Sequence, residues 1–173
     1  AMCVALMVDP QGDQEIIQAQ TAIRETLHDW IPKLLSAQEP DGYLQTFYTL
    51  NDRPRWTNKH DHEGYLAGYF IEAAIAHYES TGRTDARMYQ AAKRLADCWY
   101  EHIGPPPKKY WYEGHQELEQ ALVRFARFVE DLRRRPIGLM AFSFIALIAL
   151  GTLLLTFPAA TADFFGNKTV GVN

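Results

Sequence analysis

The sequence predicts an all-α protein, with stacked helical hairpins over residues 1–132 and one transmembrane-like helix after them. Three observations carry this. Apolar residues recur near a 3.6-residue period, the mark of helices with one buried face. Connections alternate between short and long, as stacked helical hairpins require. From Pro136 to Ala162 there is no charged residue.

The elements follow in order. Asp9-Pro10-Gln11-Gly12 reads as a turn. A helix is expected from Asp13 to Gln38, with Ile16, Ile23, Leu27, Trp30, Leu34 and Leu35 on its apolar face and Pro32 kinking or splitting it. Glu39-Pro40-Asp41-Gly42 is a second turn, and Tyr43 to Leu50 an ordered loop. Asn51 to Asp61 is polar and irregular. The next helix runs from about His62 to Ser80, with Leu66, Tyr69, Phe70, Ala73 and Ala76 inward and Gly82 as its stop. Thr84 or Asp85 caps a third, with Met88, Ala92, Leu95, Trp99 and Ile103 on one face. Gly104-Pro105-Pro106-Pro107 ends it. A loop with Tyr110, Trp111 and Tyr112 leads to a helix from His115 to about Arg134, with Leu118, Leu122, Phe125, Val129 and Leu132 inward.

Composition narrows the function. The net charge is −4 over 173 residues, which excludes a general attraction to nucleic acid. Cys3 and Cys98 are too few for a disulfide scaffold, lie in no CxxC and are expected to pack as apolar groups. Ala1 to Val8 is apolar but short and lacks a basic segment, so it reads as the end of a helix and not as a signal peptide.

The richest chemistry lies in RWTNKHDHEGYLAGYFIEAAIAHYESTG, residues 55–82. Trp56, Asn58, His60, His62 and Glu63 crowd the mouth of a helix that carries a third His, His77, further on. Sugars need hydrogen-bond partners for their hydroxyls and flat apolar faces for their C–H surfaces, so this crowding points to a carbohydrate pocket. Trp56 and Trp111 remain open between stacking on sugar rings and packing within their loops. His60 reads as a solvated loop residue and His77 as a packing or surface residue. Ligands as close in sequence as His60-Asp61-His62-Glu63 seldom converge on a metal without partners from elsewhere, so no metal site is expected.

DGYLQTFYTL (41–50), the 55–82 segment and GHQELEQALVRF (114–125) together resemble glycoside hydrolase family 127, the β-L-arabinofuranosidase-type enzymes. The resemblance covers residues 1–132 and implies part of an (α/α)6 barrel. His62-Glu63 matches the family's His-Glu pair and Tyr65 its Tyr. Gly68 is kept, while Tyr69 stands where a second His is usual. Gly114-His115-Gln116-Glu117 resembles the family's Gly-His-Pro-Glu, with Gln for Pro. The resemblance implies that His62 and His115 line the subsite of the terminal sugar, at the loop end of the barrel. Substrate-binding residues are therefore expected at Trp56, Asn58, His62, Glu63 and His115. The family's zinc, nucleophilic cysteine and acid/base glutamate belong downstream of the matched region. No catalytic residue, metal ligand or cofactor is thus expected within this chain. Glu63 and Glu117 as a cleaving carboxylate pair is the weaker alternative.

The tail reads differently. Residues 133–135 form a basic junction, 136–158 a transmembrane-like helix and 159–173 a short tail. Ile137 to Phe157 is long enough to cross a bilayer core, at about 1.5 Å per helical residue. Arg133-Arg134-Arg135 places residues 1–135 on the cytoplasmic side. RRPIGLMAFSFIALIALGTLLLTFPAATAD (134–163) resembles the first membrane helix of Trk/Ktr-type potassium-uptake subunits. Asn167-Lys168-Thr169 has the pattern of a glycosylation sequon. The function expected is that of a glycoside hydrolase fragment with a sugar-binding shoulder. A membrane protein fragment, cation-transport-like and with a helical binding module, is the alternative.

Overall fold

The structure is a computed structural model and describes residues 1–134. The expected membrane helix at 136–158, the tail after it and the sequon lie outside the described residues. Within 1–134 every regular element is a helix, apart from one isolated bridge between Ile103 and Lys109. Among these residues no helix is long and apolar enough to cross a membrane. The geometry below belongs to the compact unit Ala1–Phe128.

A short helix α1, Met2–Ala5, opens the chain. Helix α2, Gln14–Ser36, starts where expected, because the Asp13 side chain accepts from the amides of Glu15 and Ile16. Pro32 does not split it. The missing N–H frees the carbonyl one turn back, and both Pro32 and His28 face solvent, where water can satisfy that carbonyl. The buried Gln20 side chain donates to the carbonyls of Ala5 and Val8 and so ties α1 to α2. Trp30 and Leu34, expected inward, are exposed, because α2 packs against the helix Arg87–His102 through another face.

The 43–50 segment departs from the expected loop. Thr46–Leu50 is a short helix, α3, capped by the Gln45 side chain. Tertiary contacts hold it, since the buried Tyr48 hydroxyl donates to Asp61 at 3.0 Å. A 3-10 turn at Lys59–Asp61 then leads into α4, Glu63–Ser80. Its end is as expected. Thr81 is the C-cap and Gly82 follows at φ +59°, a conformation that disfavours a side chain.

The face of α4 differs from expectation. Ala67, Ile71, Ala74 and Ile75 are buried, with Gly64 and Gly68 beside them, whereas Leu66, Tyr69 and Ala73 point outward. α4 is apolar nearly all round, so periodicity alone cannot choose its face. The glycines decide it. A Cβ on Gly68 would lie 2.6 Å from the backbone of Glu117, so the helix over residues 117–134 crosses α4 at a glycine.

Helix α5, Arg87–His102, runs back antiparallel to α4 and buries Met88, Ala91, Ala92, Leu95, Cys98 and Trp99, close to the expected stripe. The last described helix, α6, covers residues 117–134. It begins two residues after His115, with the Gln116 carbonyl accepting its first helical bond from Gln120. Leu118 and Phe125 are buried as expected, and Ala121 and Phe128 join them. At the end remote from His62, rings from three helices close the core. Tyr78 stacks on Tyr89 at 5.4 Å, Tyr89 meets Phe125 at 5.6 Å and Tyr78 meets Phe128 at 6.1 Å.

Gly68→Ala tests the crossing. The new methyl must displace backbone, which costs about 1–3 kcal/mol. Better helix propensity offsets at most about 1 kcal/mol of that. The urea midpoint is expected to fall.

Candidate functional site

The site forms where α4 and α6 begin. His62 is the N-cap of α4 and adopts a left-handed conformation, φ +58°. This costs a residue with a side chain about 1–2 kcal/mol, so the surroundings must hold it. Two carboxylates do so from either side.

The first is Glu63. It is 1% exposed, although it begins the helix. One oxygen accepts from the Tyr43 hydroxyl, and the other accepts from the backbone N–H of Trp56 at 2.8 Å. Burial pushes the Glu63 carboxyl above its ordinary value, and the bonds from Tyr43 and Trp56 work against that rise. Burial and the Glu63 charge both hold the Tyr43 hydroxyl protonated. Arg55 lies over the Tyr43 ring at 3.9 Å and forks between Glu39, at 2.7 Å, and Asp41, at 2.5 Å.

The second carboxylate is Glu113, on the loop before α6. Its oxygens accept from the amides of Gly64, at 2.5 Å, and Tyr65, at 3.0 Å. α4 has no cap from its own N-cap side chain, and Glu113 supplies one from far along the chain. A carboxylate at a helix N-terminus also meets the positive end of the helix dipole, worth about 0.3–1 kcal/mol. Local capping patterns cannot reveal a donor–acceptor pair so distant in sequence, and the sequence reading missed Glu113.

These two anchors bring four rings together. The His62 and His115 ring centroids are 5.2 Å apart. Tyr65 lies 5.7 Å from His62 and 5.3 Å from His115. Tyr69 lies 4.7 Å from Tyr65 and raises its hydroxyl pKa by hydrogen bonding. His115 Nδ1 is 3.9 Å from a Glu117 oxygen that has no hydrogen-bond partner. Both imidazoles are exposed. The cluster offers imidazole nitrogens and phenol hydroxyls beside ring faces.

The other expected site residues lie elsewhere. Trp56 is 6% exposed, in a left-handed conformation, and meets Tyr43 at 5.7 Å, Trp99 at 5.6 Å and His102 at 5.1 Å. Of the two roles left open for it, the structure places it in packing. Glu63 lies beneath the surface, not on it. Asn58 is exposed and bonds locally, accepting from the His60 amide and donating to Asp61. Trp111 is half-buried.

Neither thiol lies at the cluster. Burial raises both Cys3 and Cys98, the latter to about 11, so each stays protonated at neutral pH. Among the described residues no three His, Cys, Asp or Glu side chains are placed to hold a metal ion.

The fold is all-helical with an exposed His–Tyr cluster at the start of α4 and α6, and comparison with known proteins gives the family. The model of the β-L-arabinofuranosidase GH127 catalytic domain matches residues 5–134. The chain is 40% identical over 95 residues to the non-reducing end β-L-arabinofuranosidase of Bifidobacterium longum subsp. longum, covering 51% of this chain and 14% of that protein. It is also similar to the crystal structure of a GH127 β-L-arabinofuranosidase from Geobacillus stearothermophilus T6. There the TM-score is 0.54 and the identity 32%, over 73% of this chain and 19% of that one. The chain belongs to the GH127 family and spans less than a fifth of the length of either relative. The likeness of residues 134–163 to a potassium-uptake subunit finds no support in these comparisons.

Glu63 gives a direct test. Glu63→Leu leaves the buried Trp56 N–H without a partner, at a cost of about 1–3 kcal/mol. Glu63→Gln keeps the shape and one acceptor, while its amide can donate to the Tyr43 oxygen. Thermal unfolding is expected to show a large loss for Leu and a small one for Gln.

Proposed function

We propose that this chain is the sugar-gripping part of a hydrolase that acts on terminal β-L-arabinofuranosides. The observation that carries it is the pairing of His62 with His115 around Tyr65. Residues far apart in sequence meet at one solvent-facing point, at the loop end of the hairpins. Their nitrogens can bond ring hydroxyls, and the Tyr65 and Tyr69 rings offer C–H contact. Asn58 lies in the irregular segment just ahead of His62. Glu63 and Trp56 act from beneath, as supports of the His62 backbone. The chain forms part of an (α/α)6 barrel in this proposal, and the nucleophile, acid/base and zinc belong to the portion of the family that it does not span. Family membership supports the hydrolase over the cation-transport alternative.

Titration of the full chain with methyl β-L-arabinofuranoside, followed through the imidazole proton signals, tests the binding. Shifts at His62 and His115 are expected, with affinity of about 1 mM or weaker, which is about −4 kcal/mol. His62→Ala should abolish the shift at His115. Equal shifts with methyl glucoside, or none at either imidazole, would contradict the proposal.

The same chain is expected to release no arabinose from an aryl β-L-arabinofuranoside, with or without zinc and thiol. Cys98 is buried and protonated, and so cannot attack. Zinc-dependent release would overturn this.

The membrane association of residues 136–158 is a separate proposal that rests on their uncharged sequence alone. Deleting 136–173 should move the chain from the membrane fraction to the soluble one. A full-length chain that is already soluble without detergent would refute it.

A further inference from the structure

We infer that Glu113 is the positioning residue that sets the His62–His115 pair. It stands two residues before His115 and holds the two amides that follow His62-Glu63. One side chain therefore joins the loop that carries one histidine to the helix start that carries the other. Its carboxylate oxygens lie 2.5 Å from the Gly64 nitrogen and 3.0 Å from the Tyr65 nitrogen. Tyr65 is also the residue whose ring packs against both imidazoles, at 5.7 Å from His62 and 5.3 Å from His115.

Three features show that the contact is built. The αL conformation of His62 turns the chain into α4 without any cap from its own side chain, so the first helical amides are free for a partner from elsewhere. Gly64 makes room for that partner. A Cβ there would lie 3.2 Å from the Glu113 Cδ and 3.3 Å from one oxygen. The loop is anchored on its other side, where the Lys109 ammonium donates to the Arg55 carbonyl at 3.2 Å and its backbone bridges to His102 and Gly104. The loop is thus fixed at Lys109 and at Glu113, and His115 leaves the second anchor with only Gly114 between.

The role of this pair rests on the proposed sugar site, but its test does not need sugar. In the full chain, imidazole protons of His62 and His115 should show mutual NOEs at the 5.2 Å ring separation. Glu113→Ala should abolish them and speed amide exchange at Gly64 and Tyr65, while NOEs among Tyr43, Trp56 and Trp99 persist. Glu113→Asp keeps the charge but cannot span both amides, and should behave like Ala. It decides the matter if the Ala variant fails to fold. Glu113→Gln keeps the reach and should restore part of the NOE, whereas the exposed Glu119→Ala should change nothing. The titration midpoint for methyl β-L-arabinofuranoside should rise at least about tenfold in Glu113→Ala. Imidazole NOEs that survive in Ala or Asp, or a Gln variant no better than Ala, would overturn the inference. If the wild-type chain binds no arabinofuranoside but the Glu113 variants still separate the histidines, the functional proposal fails and this inference stands.

Discussion

The structure depends on one buried carboxylate. Glu63 opens α4, yet it points into the core, where it accepts from the Tyr43 hydroxyl and the Trp56 amide. A charge taken out of water is tolerated only when its lone pairs are satisfied. The 39–61 segment therefore folds around it. Arg55 clamps Glu39 and Asp41 while lying on Tyr43, Trp56 is held left-handed against Trp99, and Tyr48 reaches Asp61. His62 adjoins the anchored residue, and its strained backbone is held between Glu63 and the Glu113 cap. A polar loop with no regular strand or long helix is thereby given one conformation.

Much of the fold was legible. Asp13 and Gly82 marked helix ends because capping is local chemistry that a few residues declare. The stripes of α5 and α6 were legible because charged residues occupy their outer faces. The face of α4 was not, since its sequence is apolar on most sides and the choice rests on two glycines that admit neighbours closely. Thr46–Leu50 was read as a loop because the contact that holds it helical comes from Asp61, outside the segment.

The site was legible by half. His62 and His115 begin or precede helices after long loops, which placed them at one end, and their rings do meet. Trp56 and Glu63 are buried and do not face solvent, and burial is a tertiary property that composition does not declare. Glu113 gave no local sign, because its partners are two amides in the first turn of α4, 49 and 48 residues earlier. Exposed imidazoles and phenols gather at the loop end, while Cys98 packs inside a helix face with its thiol pushed up to about 11.

The pH titration of the Glu63 carboxyl carbon by NMR tests the central role of this residue most directly. Burial that outweighs its two hydrogen bonds predicts a midpoint above the ordinary value of 4.5, with the Trp56 amide shifting at the same pH. The sign is set by burial: a folded-state value above the unfolded one means that ionising this group weakens the fold as pH rises past 4.5. A midpoint at the ordinary 4.5, with the Trp56 amide unmoved, would show a solvated glutamate and contradict the account.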